Sequence, residues 1–159
     1  DEQLIERFMG KTLASMRLCR AALAYLRKAN GGRIVCIGGS SARSAGKNSL
    51  PSGLGNSSLA NFVKHFSNDV APDGITVNII HPPFTKTHRY TGRVAARAAE
   101  RGLSLAAAEA SFAAEFPIGR VVEPSDIAPM VLFLASRHAS AITGQALAID
   151  GGATPYVAY

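Results

Sequence analysis

The sequence is poor in cysteine: Cys19 and Cys36 are the only two among 159 residues. That excludes a disulfide-dense framework, and no zinc-finger spacing is present. Cys19 falls in a helical pattern and Cys36 in a short apolar run, so both are expected as buried small apolar residues. No apolar stretch reaches about 18 residues, so no transmembrane helix is expected. The chain opens Asp-Glu-Gln and not with a basic and then apolar run. No secretory signal is therefore expected, and the cytoplasm is the default location. Long charge runs are missing too. The 17 Lys+Arg and 11 Asp+Glu leave a formal net charge of +6, but the basic residues are scattered and not interleaved with aromatics. Nucleic-acid binding is not expected from that pattern. Two further absences bear on chemistry. There is no Tyr between Tyr25 and Tyr90, and no G-x-G-x-x-G follows an apolar run.

What is present suits one domain over residues 1–159, with 47% hydrophobic residues available for a core. Residues 4–28 carry Leu13, Met16, Leu23 and Leu26 at helical spacing. Asn30-Gly31-Gly32 stops that helix. Residues 33–37 read as a buried parallel strand. Residues 38–55, rich in Gly and Ser with Pro51, read as loop. Residues 56–70 form a second helix with Leu59, Phe62, Val63 and Phe66 as its stripe. Pro72-Asp73-Gly74 turns the chain into a strand at 75–80, ended by Pro82-Pro83. Residues 89–115 are Ala-rich and broken at Gly102, which implies two short helices. Glu123-Pro124-Ser125-Asp126 starts a helix running to about residue 136. Residues 146–150 form a last strand. This alternation predicts an α/β domain, a parallel sheet with helices on both faces.

Four motifs in register resemble the C-terminal part of a short-chain dehydrogenase/reductase. They are Gly31-Gly-Arg-Ile-Val35, Asp73-Gly-Ile-Thr-Val-Asn78, Pro117-Ile-Gly-Arg120 with Glu123-Pro-Ser-Asp-Ile-Ala128, and Ile142-Thr-Gly-Gln145 followed by Asp150-Gly-Gly152. The resemblance covers nearly the whole chain. It implies the C-terminal half of a Rossmann-like doubly wound fold, about three strands with flanking helices. It also implies that the dinucleotide-binding half, roughly 90–110 residues of such a fold, is not in this chain. Three alternatives stay open: a longer protein, a shortened gene product, or a second polypeptide that supplies the first half. In each, the strand at 33–37 is expected to have an open edge that pairs with something.

The family's reaction uses a tyrosine as acid–base, a lysine four residues on, a serine on the carbonyl oxygen and an asparagine on the preceding helix. By alignment to the motifs, these four positions fall on Ser52, Asn56, Gly39 and Lys11. Ser40, or its neighbour Ser41, could stand in for the serine. Lys11 could act as a general acid or pair with a phosphate; the alternative is a surface lysine whose stem covers apolar neighbours. Lys47 reads as a solvated loop residue. His81 and His88 flank the Pro82-Pro83 turn, and no metal site is expected there.

The resemblance implies NAD or NADP as cofactor, with Pro82, Phe84 and Thr87 beside the nicotinamide. Pro83 stands where the family has a glycine and removes an N–H. It implies a small carbonyl or alcohol substrate, covered by a lid at 89–115. It also implies homo- or hetero-oligomer contacts through helices 4–28 and 56–70, and Tyr156 and Tyr159 are expected at an interface or on the surface. Two other readings remain: a non-catalytic subunit paired with an active paralogue, and a ligand-binding protein without turnover.

Overall fold

The computed structural model describes residues 1–29 and 31–155. Asn30 of the helix stop, and Tyr156 and Tyr159, lie outside the described residues. Three strands, β1 (Arg33–Ile37), β2 (Thr76–His81) and β3 (Ala146–Ala148), form one parallel sheet in the order β1-β2-β3. Val35 pairs with Asn78, and Ile80 with Leu147. Every residue of β2 is buried, as a central parallel strand covered on both faces requires.

Alternation along β2 sends side chains to opposite faces. Val77 and Ile79 join Cys36, Leu59, Val63, Leu23 and Leu26 on the face covered by α2 (Ala14–Lys28) and α3 (Leu50–Val70). Ile80 joins Val35, Leu134 and Leu147 on the other, under α6 (Pro124–Ala135). Helices on both faces make the sheet doubly wound. Cys19 and Cys36 are buried free thiols.

The first helical stretch is interrupted. It runs as α1 (Glu2–Arg7), a π-helical turn (Phe8–Leu13) and then α2, where the apolar spacing predicts one uniform helix. The second helix begins at Leu50, not at residue 56. Pro51 sits in its first turn, where a missing N–H costs nothing, so the glycine-rich residues 50–55 are helical. Ser40–Ala42 is a short 3-10 turn inside the segment read as loop. The last strand is shorter than 146–150 because pairing ends at Ala148.

A separate cluster lies over the C-terminal end of β2. There α4 (Tyr90–Arg101) and α5 (Leu105–Ala113) enclose Tyr90, Val94, Phe112 and Phe116. The break at Gly102 has φ +63°, a left-handed cap that glycine takes without strain. Glu123 and Asp126 close a capping box at the start of α6. Arg120 grips Asp126 through two bonds of 2.6 and 2.7 Å, which with the Glu123 N–H holds that carboxyl down at about 2. Among the described residues, no helix is long and apolar enough to cross a membrane.

Candidate functional site

The π-helical turn carries Lys11 toward the sheet. A π turn changes the facing of the residues inside it relative to a plain α-helix. Thr12, almost fully buried, pins the turn to α3. Its hydroxyl lies 3.0 Å from Gly55 O and 2.7 Å from Ser58 Oγ. Lys11 Nζ then reaches past the end of β1 and donates to Gly38 O at 3.0 Å. Burial, and next the Arg7 charge, hold the Lys11 pKa below the ordinary lysine value.

On α3, Ser52 and Asn56 are four residues apart and share a face. Ser52 is exposed and Asn56 is buried. Asn56 Nδ2 donates to Ser41 Oγ at 2.8 Å, and its Oδ1 is buried without a hydrogen-bond partner. Gly39 lies against this amide: a Cβ at residue 39 would stand 2.8 Å from Asn56 Nδ2. A cleft of about 350 Å³ is lined by Glu6, Arg7, Lys11, Ser52 and Asn56, among others.

His81 closes the floor at the end of β2. It is 2% exposed. Its Nδ1 lies 3.1 Å from Gly39 N and 3.0 Å from Gly39 O. Nε2 is buried without a partner among the described residues. Burial is the main cause that lowers the His81 pKa below the ordinary histidine value, opposed by the Gly39 backbone and helped by the charges of Arg43 and Lys11. Gly38 makes room for it: a Cβ there would stand 2.5 Å from Nδ1 and 3.0 Å from Ile79 Cδ1. Gly38→Ala is accordingly expected to destabilise the protein by about 1–3 kcal/mol through overpacking. Chemical denaturation measures it, and unchanged stability would mean that the ring can move aside.

The segment after β2 holds Pro82, Phe84 and Thr87. Pro82 O accepts from Ser40 N at 2.8 Å, tying this turn to the 39–41 segment. The Phe84 ring is committed to an aromatic cluster, 4.8 Å from Phe112 and 5.7 Å from Tyr90. The Thr87 side chain is exposed. Arg97 stacks on Phe112 at 3.2 Å from the ring centroid and pairs with Glu115 at 2.6 Å, which fastens α4 to α5.

The structure thus brings Lys11, Ser52 and Asn56 to one cleft, with Gly39 touching Asn56. Ser41, not Ser40, meets the Asn56 amide. Lys47 and His88 are exposed, and among the described residues no group of three or more His, Cys, Asp or Glu could hold a metal ion. Arg7 is a cleft residue to which the sequence reading assigned nothing; its spacing of four from Lys11 is the signal that could have found it.

Comparison with known proteins places the whole fold in one family. A family model described as "Enoyl-(Acyl carrier protein) reductase" matches residues 5–154. The NADPH-dependent reductase BacG of Bacillus subtilis is 34% identical over 151 residues, covering 95% of this chain and 58% of that protein. Among solved structures, YwfH, an NADPH-dependent reductase involved in bacilysin biosynthesis, superposes with a TM-score of 0.86 at 33% identity, over 94% of this chain and 57% of its own. L-sorbose reductase from Gluconobacter frateurii, complexed with NADPH and L-sorbose, gives a TM-score of 0.92 at 25% identity, over 99% of this chain and 60% of its own. The chain spans a little over half the length of these relatives. With the motifs, the doubly wound sheet and these matches in agreement, the chain belongs to the short-chain dehydrogenase/reductase family.

Proposed function

We propose that the protein works as an NADP(H)-dependent reductase of small carbonyl compounds, and oxidises the corresponding alcohols in reverse, with Lys11 in place of the missing tyrosine as proton donor. The observation that carries this reading is the Lys11 ammonium held on Gly38 O, at 3.0 Å, in the cleft that Ser52 and Asn56 also line. NADPH named for BacG and for the L-sorbose reductase complex supports the choice of cofactor.

The segment after β2 fits the nicotinamide end of such a cofactor. The exposed Thr87 hydroxyl can both donate and accept, which is what a carboxamide needs, while Pro83 gives up one backbone N–H. Pro82, Thr87 and the Phe84 backbone would hold that end. When bound, the cofactor supplies a hydride to the carbonyl carbon. Lys11 gives a proton to the carbonyl oxygen and is left as a neutral amine, recharged from solvent through the open cleft. Gly38 O orients the ammonium by taking one of its three N–H groups. Ser52 can donate a hydrogen bond to the same oxygen, but an aliphatic hydroxyl holds its proton too tightly to release it.

The sign of the pH dependence follows. Carbonyl reduction needs charged Lys11, so it is full below the Lys11 pKa and falls as pH rises through it. Burial and Arg7 lower that pKa, so the fall begins below the ordinary lysine range. Alcohol oxidation needs the neutral amine and rises over the same window. Profiles of kcat/KM in both directions with a neutral ketone and its alcohol test this; limbs that do not mirror each other would remove Lys11 from the proton step.

One observation favours a second reading, a subunit that pairs with another copy or an active paralogue through helices 4–28 and 56–70. Leu18 and Tyr25 are 73% and 76% exposed on the first of these helices, and Leu54, in the part of α3 before residue 56, is 52% exposed, apolar surface that pairing would cover. Turnover by a protein that sediments as a monomer would rule this reading out.

A further inference from the structure

The cleft holds more positive charge than proton transfer requires. Arg7 stands one helical turn before Lys11, and its Cβ lies 3.8 Å from where a side chain on Gly55 would begin. Arg7 lines the same cleft as Lys11, Ser52 and Asn56. Among the described residues, neither Arg7 nor Lys11 takes part in an ion pair within 4.0 Å. Glu6 also lines the cleft, yet it bridges to neither of them. A second observation points the same way. Asn56, which lines the cleft, is 5% exposed, and its Oδ1 is buried without a partner. A buried acceptor of this kind calls for a donor from whatever fills the space.

We infer that this cleft selects carbonyl substrates that carry a carboxylate: small oxo acids, with the acid group on the Arg7 guanidinium and the reacting oxygen toward Lys11. The inference rests on the reductase reading for the second half of that placement. A guanidinium presents two parallel N–H donors that match the two oxygens of a carboxylate. The cleft volume of about 350 Å³ lies at the small end of the usual range for ligand sites. On reduction, the new alcohol O–H is a donor of the kind that the Asn56 Oδ1 lacks.

The test compares acetoacetate with methyl acetoacetate, which share the carbonyl and differ in the charge. Binding is measured by calorimetry and reduction by NADPH consumption, for the native protein, Arg7→Gln and Arg7→Lys. The acid is expected to bind at least about tenfold more tightly than the ester, as one charge-assisted pair of about 1.5–3 kcal/mol implies. Arg7→Gln should bring the acid-to-ester ratio close to one, and Arg7→Lys should keep part of it, which also controls for misfolding. Equal binding of acid and ester by the native protein, or a ratio untouched by Arg7→Gln, overturns the inference. Preferential, Arg7-dependent binding of the acid without reduction of either compound would leave the carboxylate site standing and remove the reductase reading. Reduction of both at equal efficiency would do the opposite.

Discussion

Lys11→Met should lower kcat for carbonyl reduction by about 10²–10⁴-fold, the usual contribution of a positioned general acid. Methionine keeps most of the apolar stem that packs between the π-helical turn and the sheet, and it deletes only the ammonium. The substitution leaves Gly38 O without its 3.0 Å donor, but Gly38 is only half-buried, so water can replace the lost bond. The fold is thus retained and the loss falls on kcat. Lys11→Arg separates two roles of the side chain. Arginine keeps the charge and the hydrogen bond but releases no proton at accessible pH. If Lys11 delivers the proton, the arginine variant is nearly as slow as the methionine variant. If the charge alone polarises the carbonyl, the arginine variant keeps most of the rate and the proton must come from elsewhere. Steady-state NADPH consumption with KM and kcat resolved decides between them.

The largest expected effect on stability lies at Asn78. This residue sits in the middle of β2 with no solvent exposure. Its Nδ2 donates to Ile142 O at 2.7 Å, and its Oδ1 accepts from Gln145 N at 3.0 Å. One side chain thereby anchors the loop that feeds β3, beside the Thr143 hydroxyl that accepts from Val77 N at 3.1 Å. Asn78→Ala strands both backbone groups, at about 1–3 kcal/mol for each buried group left unpaired. That is a large part of the 5–15 kcal/mol, roughly, that a domain has in total. Urea denaturation should show a lower midpoint at an unchanged slope. A change below about 1 kcal/mol would mean that water enters and satisfies both groups.

Much of the architecture was legible in the residues. The apolar runs around Val35 and Ile79 announced buried parallel strands, and the order of elements announced the doubly wound sheet. The strand at 33–37 was expected at an open edge, and β1 is one of the two edge strands of the described sheet, β3 being the other. The start of α3 was not legible. Gly53, Gly55 and Pro51 carry loop propensities, and only the packing of α3 against the π-helical turn shows why they are helical. Within the site, motif register was enough to bring Lys11, Gly39, Ser52 and Asn56 into consideration together. It could not show that the Lys11 amine reaches the backbone of Gly38, because that depends on the π turn, which leaves no mark in the apolar spacing. His81 looked like an ordinary residue at the end of a strand. Its burial depends on Gly38 lacking a side chain, a condition set between segments far apart in the chain.

The division of the apolar residues into three clusters has a consequence for how the molecule comes apart. The cluster of Phe84, Tyr90, Val94, Phe112 and Phe116 shares Ile127 with the one beneath α6, and none of its residues belongs to the cluster between the sheet and α2–α3. Opening α4 and α5 away from the sheet therefore costs one cluster and leaves the parallel strands, with Lys11 and Asn56 above them, intact. Stability is seldom uniform across a fold: hydrogen exchange is expected to open α4 and α5 at a lower free energy than the sheet and α2–α3, and equal protection of the two bodies would mean one cooperative unit. Ile127, belonging to both, sets how tightly the two are geared.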